Sequence, residues 1–222
     1  NIWANRFYGG RTIYVPPDEA TSFSRIFDGS LSYNKASWVL HMLRGVIGDS
    51  AFFASLQNYL TDPRFAYGTA TTEGFQSVAE AASGRNLQNF FERWIYTPYF
   101  PTYLYDWSAT AAAPYQVDLS LEQIQGHALY NMPVRVRVTT TAGSEDFIVQ
   151  DSLALQSFQL PLAAEPLAVT IDPEHWILCT AEPQLRSPSF YRGLLVVNGV
   201  PWTVGSELTS AYADSVFSAG YP

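Results

Sequence analysis

At 222 residues the chain is long enough for one large or two ordinary domains with real cores. With 47% hydrophobic and 15% aromatic residues it is too apolar to be disordered, and 12 Lys and Arg against 20 Asp and Glu, a net charge of −8, exclude a surface built to bind nucleic-acid phosphates. A single cysteine, Cys179, excludes an intrachain disulfide and a cysteine-rich metal site, and no run approaches the roughly 18–20 apolar residues of a membrane span.

Residues 1–31 read as irregular, with Gly9-Gly10, Pro16-Pro17 and a short strand candidate at Ile13-Tyr14-Val15. From Leu31 the pattern turns helical. Trp38, Val39, Met42, Leu43, Val46 and Ile47 recur at three-and-four spacing, and Gly48 stands where a helix C-terminus wants a residue tolerant of positive φ. A second helix is predicted from Asp49 as its cap, with Phe52, Phe53, Leu56, Tyr59 and Leu60 as its apolar face. Thr72, or Thr71 before it, caps a third that runs to Gly84, and a fourth begins near Asn86 and ends at Thr97-Pro98. Short loops imply antiparallel neighbours, so residues 31–96 read as four packed helices.

After Pro101 the period changes from 3.6 to 2. Val117, Leu119 and Leu121 alternate with polar residues, as do Val134, Val136 and Val138. Tyr103–Ser108, Asp146–Val149, Phe158–Leu162, Ala168–Ile171 and Trp176–Cys179 complete seven short strands, which fit an antiparallel β-sandwich. Within the last of them Cys179 reads as a buried, inert thiol. A linker follows, then an apolar strand Leu194–Asn198, a turn Gly199–Gly205 and a helix Glu207–Ala219, the pattern that opens an α/β unit. The fold class expected is therefore α+β and multidomain: an antiparallel helical subdomain over 1–100, a β-sandwich over 101–182, and a linker with a strand-helix extension over 183–222.

The segment Tyr33-Asn34-Lys35-Ala36-Ser37-Trp38, with Leu40 to Arg44, Gly48-Asp49, Phe52-Phe53, the Thr71-Thr72-Glu73-Gly74-Phe75 cap, and Phe90-Phe91 with Trp94, resembles the back half of the catalytic domain of the aminopeptidase N and leukotriene hydrolase family of zinc metallopeptidases. Leu119 to Gln125, Met132-Pro133-Val134 and Ile171-Asp172-Pro173 resemble the sandwich that follows it, so the resemblance covers about residues 20–180. It implies a hydrolase that removes N-terminal residues from peptides, and it implies that Tyr33 donates a hydrogen bond to the tetrahedral intermediate. A phenol suits that role because it donates while neutral, and a fixed donor aimed at developing negative charge stabilises the transition state more than the substrate. The family usually has Gly where this chain has Ala36.

The resemblance also implies zinc in the intact enzyme, held by an upstream H-E-x-x-H helix and a glutamate on a second helix. No H-E-x-x-H occurs in this chain, so no metal or cofactor is expected in it. His41 has no His or Glu at helical spacing, and His127 and His175 lie in turn-like contexts, which argues against a zinc site built from the three. Read as a residue alone, Tyr33 is a helix-capping tyrosine with its ring on the core; the surrounding motif favours the catalytic role. Lys35 reads as solvated, with pairing to a substrate or helix carboxylate as the alternative. Glu92 and Arg93 read as a solvated face, and Phe90, Phe91 and Trp94 as core.

The chain begins at Asn1 and not at Met, and the leading expectation is the C-terminal portion of a zinc aminopeptidase, inactive alone. Its partners are then a peptide substrate and the missing N-terminal half, with self-association through apolar surface that the half would cover. The competing reading is a non-catalytic binding or scaffolding protein derived from the same fold, and a weaker one is a polysaccharide-binding sandwich. The modular arrangement suggests a secreted bacterial setting by association only.

Overall fold

A computed structural model describes residues 10–184 together with two strands at Leu194–Val197 and Val200–Thr203. The chain divides into two compact units, Asn1–Pro183 and Gln184–Pro222. The first is a layer of helices packed on a β-sandwich.

The segment read as irregular contains a short helix α1, Phe23–Ile26, followed by a π-helical stretch over Gly29–Lys35. Then come α2 (Ala36–Ile47), α3 (Asp49–Thr61), α4 (Thr72–Ser83) and α5 (Gln88–Trp94). Gly48 adopts φ +81 and donates its N–H to the Arg44 carbonyl at 2.8 Å, which ends α2 and begins α3. Asp49 is the first residue of α3 and not its cap; there its charge suits the helix dipole, and its carboxylate takes both Nε and Nη2 of Arg44 at 2.8 Å. Thr71 is the cap of α4, its hydroxyl accepting from Gly74 N–H at 3.0 Å. Among the described residues no helix is long and apolar enough to cross a membrane.

Seven strands form two facing sheets. One has the order β5-β2-β1-β7, with β1 at Thr102–Ala109, β2 at Tyr115–Gln123, β5 at Leu155–Leu162 and β7 at Thr180–Pro183. The other has the order β4-β3-β6, with β3 at Met132–Thr140, β4 at Gly143–Asp151 and β6 at Pro166–Ile171. Every pairing is antiparallel except β1 with β7, which is parallel from Thr102 opposite Thr180. The alternation in the sequence is the pleat itself: Val117, Leu119 and Leu121 of β2 and Val134, Val136 and Val138 of β3 are all buried between the sheets.

One expected strand is displaced. Trp176–Cys179 is not extended, because the Asp172 carboxylate accepts the N–H groups of Trp176 and Ile177 at 2.8 and 2.9 Å and folds the chain back before β7. Cys179 is buried as expected, and burial pushes its thiol well above the ordinary range.

Leu194–Val197 (β8) pairs antiparallel with Val200–Thr203 (β9), so half of the predicted Gly199–Gly205 turn is strand. The linker expected over 183–192 lies, from residue 185 on, outside the described residues. The helix expected over Glu207–Ala219 lies outside the described residues.

Helices and sandwich share one core. Trp94 is 1% exposed; its indole N–H donates to the Met132 sulfur at 3.3 Å and its ring lies 4.7 Å from that of Tyr130. On α2, the Met42 sulfur accepts Leu178 N–H at 3.3 Å, and Gly45 lies so close to Trp176 that a Cβ there would sit 2.9 Å from Cε3. Trp94→Ala should therefore cost about 3–5 kcal/mol of stability by leaving a cavity at this seam. Urea unfolding of the variant measures it, and a loss below about 1 kcal/mol would show that the seam is not shared core.

Inside the sandwich, Gln123 Nε2 donates to Asp151 Oδ2 at 2.6 Å and to the Tyr130 carbonyl at 2.8 Å. Asp151 is fully buried, its Oδ1 has no partner among the described residues, and burial pushes its carboxyl up to about 6. A raised carboxyl favours the folded state fully below pH ~4, and that contribution is lost as pH rises through about 6. Asp151→Asn should accordingly raise the thermal midpoint at pH 7.5 and change it little at pH 4, which paired melting curves would test.

Candidate active-site turn

The site is built on the π-helical stretch. Asp28 opens it, with Oδ1 accepting the N–H groups of Ser30 and Leu31 at 2.8 and 3.0 Å. At its end the Ala36 N–H reaches the Leu31 carbonyl, an i→i+5 bond that widens the turn. Leu31 and Lys35 then both face the core, and Tyr33 between them points outward, 56% exposed. Its backbone carbonyl accepts the Ser37 hydroxyl at 2.8 Å, while its own phenol makes no hydrogen bond among the described residues. The ring is thus not packed on the core as a structural cap would be. Single-turn widenings of this kind are frequent at functional sites.

Lys35 contradicts its expectation. It is 0% exposed, and Nζ lies 3.4 Å from the Thr97 carbonyl just beyond α5. The widened turn that turns Tyr33 out turns Lys35 in, a relation that simple helical spacing does not convey. Burial lowers its ammonium from 10.5 to about 8. A lysine so shifted opposes folding by about 3 kcal/mol below pH ~8, and the penalty is relieved as pH rises toward 10.5. Lys35→Met should therefore not lower the thermal midpoint at pH 7, and it should abolish a gain in stability between pH 8 and 10 that melts of the unaltered chain would show.

The histidines stand apart. His41 on α2 stacks on Trp176 with centroids 4.5 Å apart. His127 stacks on Tyr99 at 4.9 Å, and burial holds its imidazole below the usual range. His175 occupies the left-handed region, φ 58, in the loop closed by its N–H on the Asp172 carbonyl. Among the described residues no three His, Cys, Asp or Glu side chains stand together as a metal site.

Other residues are only partly as read. Glu92 is exposed, but Arg93 is half-buried with Nε lacking a partner among the described residues. Phe90, Phe91 and Trp94 are core. Arg25 was missed altogether: it is buried, with Nε on Glu19 at 2.6 Å and Nη2 on the carbonyls of Thr12 and Tyr14, each at 2.8 Å. Its partners are mostly backbone, so no side-chain pattern could have announced it.

Exposed apolar residues flank Tyr33 in sequence: Phe23, 76% exposed, meets Phe27 in a tilted pair with centroids 4.6 Å apart, and Leu40 is exposed seven residues after Tyr33. Elsewhere a cleft of about 380 Å³ opens beside Tyr99, Thr102, Gln125 and His127. Gln125 is committed there, its amide donating to Gln123 Oε1 and the Ala128 carbonyl and accepting from Thr102 N–H, so the cleft offers aromatic walls and few uncommitted donors.

Comparison with known proteins gives a consistent picture. Residues 7–94 match the peptidase family M1 domain. Aminopeptidase N of Lactococcus lactis subsp. lactis is 26% identical over 93 residues, 42% of this chain and 11% of that protein. The mitochondrial aminopeptidase 2 of Saccharomyces cerevisiae is 32% identical over 89 residues, 40% of this chain and 9% of that one. Aminopeptidase M1-B of Oryza sativa subsp. japonica is 29% identical over 141 residues, 60% of this chain and 14% of its own. The chain thus spans about a tenth of the length of most curated relatives it matches. In fold it is similar to Legionella pneumophila aminopeptidase A, solved in complex with aspartic acid, with a TM-score of 0.64 and 13% identity over 85% of this chain and 21% of that one.

Proposed function

The chain belongs to the M1 aminopeptidase family, and from that premise we propose that it is the C-terminal part of an aminopeptidase catalytic domain with the sandwich that follows it. In this reading α2 to α5 form the back wall of the peptide cleft. The Tyr33 phenol donates to the carbonyl oxygen of the scissile bond as negative charge develops there. The observation that carries it is the exposed, unengaged phenol on a widened turn whose flanking residues are buried.

This family is one of metallopeptidases, but the residues present do not fit a zinc ion. The H-E-x-x-H pair is absent from the sequence, and the three histidines are held in separate stacks and turns. The chain alone is expected to leave peptides intact, and the zinc-binding half is expected to sit on the apolar surface around Phe23, Phe27 and Leu40. Left uncovered, that surface favours self-association.

The test supplies what is missing. Joined to a zinc-binding half encoded upstream of Asn1, or to that of a family member, the chain should release N-terminal residues from peptide amides. Tyr33→Phe should then lower kcat by about a hundredfold to a thousandfold while KM changes little. An unchanged kcat would remove the catalytic role. A native polypeptide of only 24.7 kDa would instead favour the scaffolding reading.

A further inference from the structure

We propose that Lys35 is the positioning residue for Tyr33, and that through it the β-sandwich fixes where the phenol stands. The inference rests on the catalytic reading of Tyr33 for its consequence, but its geometry is independent of that reading.

Two side chains anchor the widened turn on its buried side, Leu31 and Lys35, with Tyr33 midway between them. Leu31 supplies apolar contact, which has no direction. Lys35 supplies a directed one, Nζ to the Thr97 carbonyl. That carbonyl belongs to a segment that is itself held twice. Thr97 Oγ1 donates to the Glu92 carbonyl at 2.9 Å, which ties it to the end of α5. The next carbonyl, of Pro98, accepts the Tyr130 hydroxyl at 3.3 Å, and Tyr130 belongs to the sandwich, where Gln123 accepts its N–H at 2.9 Å. Consecutive carbonyls thus receive one donor from the turn bearing Tyr33 and one from the sandwich. A continuous path runs from Gln123 through Tyr130, Pro98, Thr97 and Lys35 to the turn.

The chemistry of Lys35 argues that the contact is specific. An ammonium in the interior has three protons to place and loses its hydration, whereas a methionine of similar length fills the same space with no such cost. Among the described residues Nζ has only the Thr97 carbonyl as a protein acceptor. Buried charged groups that cost stability are best attested where they fix a register. Here the register is that of a turn with an extra residue per repeat, which slides to an ordinary α-helical turn if the anchor at position 35 is released; that slide rotates Tyr33 relative to α2.

The experiment uses the chain itself with tyrosine labelled at Cζ, Tyr33→Phe identifying the Tyr33 resonance. Lys35→Met should shift or broaden that resonance and speed amide exchange of Ala36, while the Tyr59 resonance holds and the thermal midpoint at pH 7 does not fall. A folded Lys35→Met with the Tyr33 resonance and Ala36 exchange unchanged would overturn the proposal. Should that variant not fold, Tyr130→Phe removes the other donor at the joint and keeps the lysine. It should move the Tyr33 resonance in the same direction by less, and an unmoved resonance overturns the path from the sandwich. When the chain is joined to a zinc-binding half, Lys35→Met should lower kcat about tenfold to a hundredfold with KM unchanged, and it should add nothing in the Tyr33→Phe background. If Tyr33→Phe leaves turnover intact, the catalytic reading fails while the resonance shifts still decide the positioning role.

Discussion

Everything in the first unit depends on the seam where the helices lie against the sandwich. Four short helices, each apolar on one face, cannot enclose a core by themselves, and neither can a sandwich that carries Met132 at the start of β3 and Trp176 in the loop between β6 and β7. The seam resolves both needs. Trp94 fills the space between α5 and Tyr130, Met42 offers its sulfur to Leu178 N–H, and Gly45 lets Trp176 lie flat against α2. The soft sulfur acceptors fit here because they take up N–H groups at an irregular surface while still packing as hydrocarbon. Helix α2 carries part of this seam and, about two turns earlier, begins at the residue after Lys35. The placement of Tyr33 is therefore a property of the whole unit and not of the turn alone.

Among the described residues the interior holds four charged side chains, and each is arranged differently; Asp172 accepts the backbone N–H groups of Trp176 and Ile177. Arg25 spreads its guanidinium over one carboxylate and two carbonyls, the planar fork reaching all three at once. Asp151 has one oxygen on Gln123 and the other unmatched, and it responds by favouring its neutral form. Lys35 keeps a single carbonyl and a lowered ammonium. The degree of matching orders them: the guanidinium has three partners and leaves Nη1 without one among the described residues, while the Asp151 carboxyl and the ammonium have fewer and sit where the fold gains geometry at some cost in stability.

Periodicity made most of the fold legible. The helix boundaries at Gly48, Thr71 and Gly84 and the in-out alternation of β2 and β3 follow from backbone rules that need no knowledge of the tertiary structure. What was not legible depends on partners distant in sequence. Trp176–Cys179 has the composition of a strand, but the Asp172 carboxylate captures its amides first. Lys35 has the composition of a surface residue, and only the extra residue in the π-helical turn sends it inward. The parallel pairing of β1 with β7 is equally silent, since a strand's composition does not encode the direction of its neighbour. Of the candidate site, the motif singles out Tyr33, while its exposure and the buried contact of Lys35 were not legible.

The exposed phenol and the exposed apolar groups that flank it in sequence act together under the catalytic reading. A hydrogen-bond donor acts most strongly on developing charge when water is excluded, because the field of a fixed dipole is weakened by solvent that can reorient. Phe23, Phe27 and Leu40 cannot exclude water from Tyr33 while they are themselves exposed. Covered by the remainder of a catalytic domain, the same groups would contribute binding area and a dry wall together. A donor held rigidly from behind by Lys35 and enclosed from the front by an added surface needs no rearrangement when charge develops on the substrate, the condition under which electrostatic stabilisation is largest.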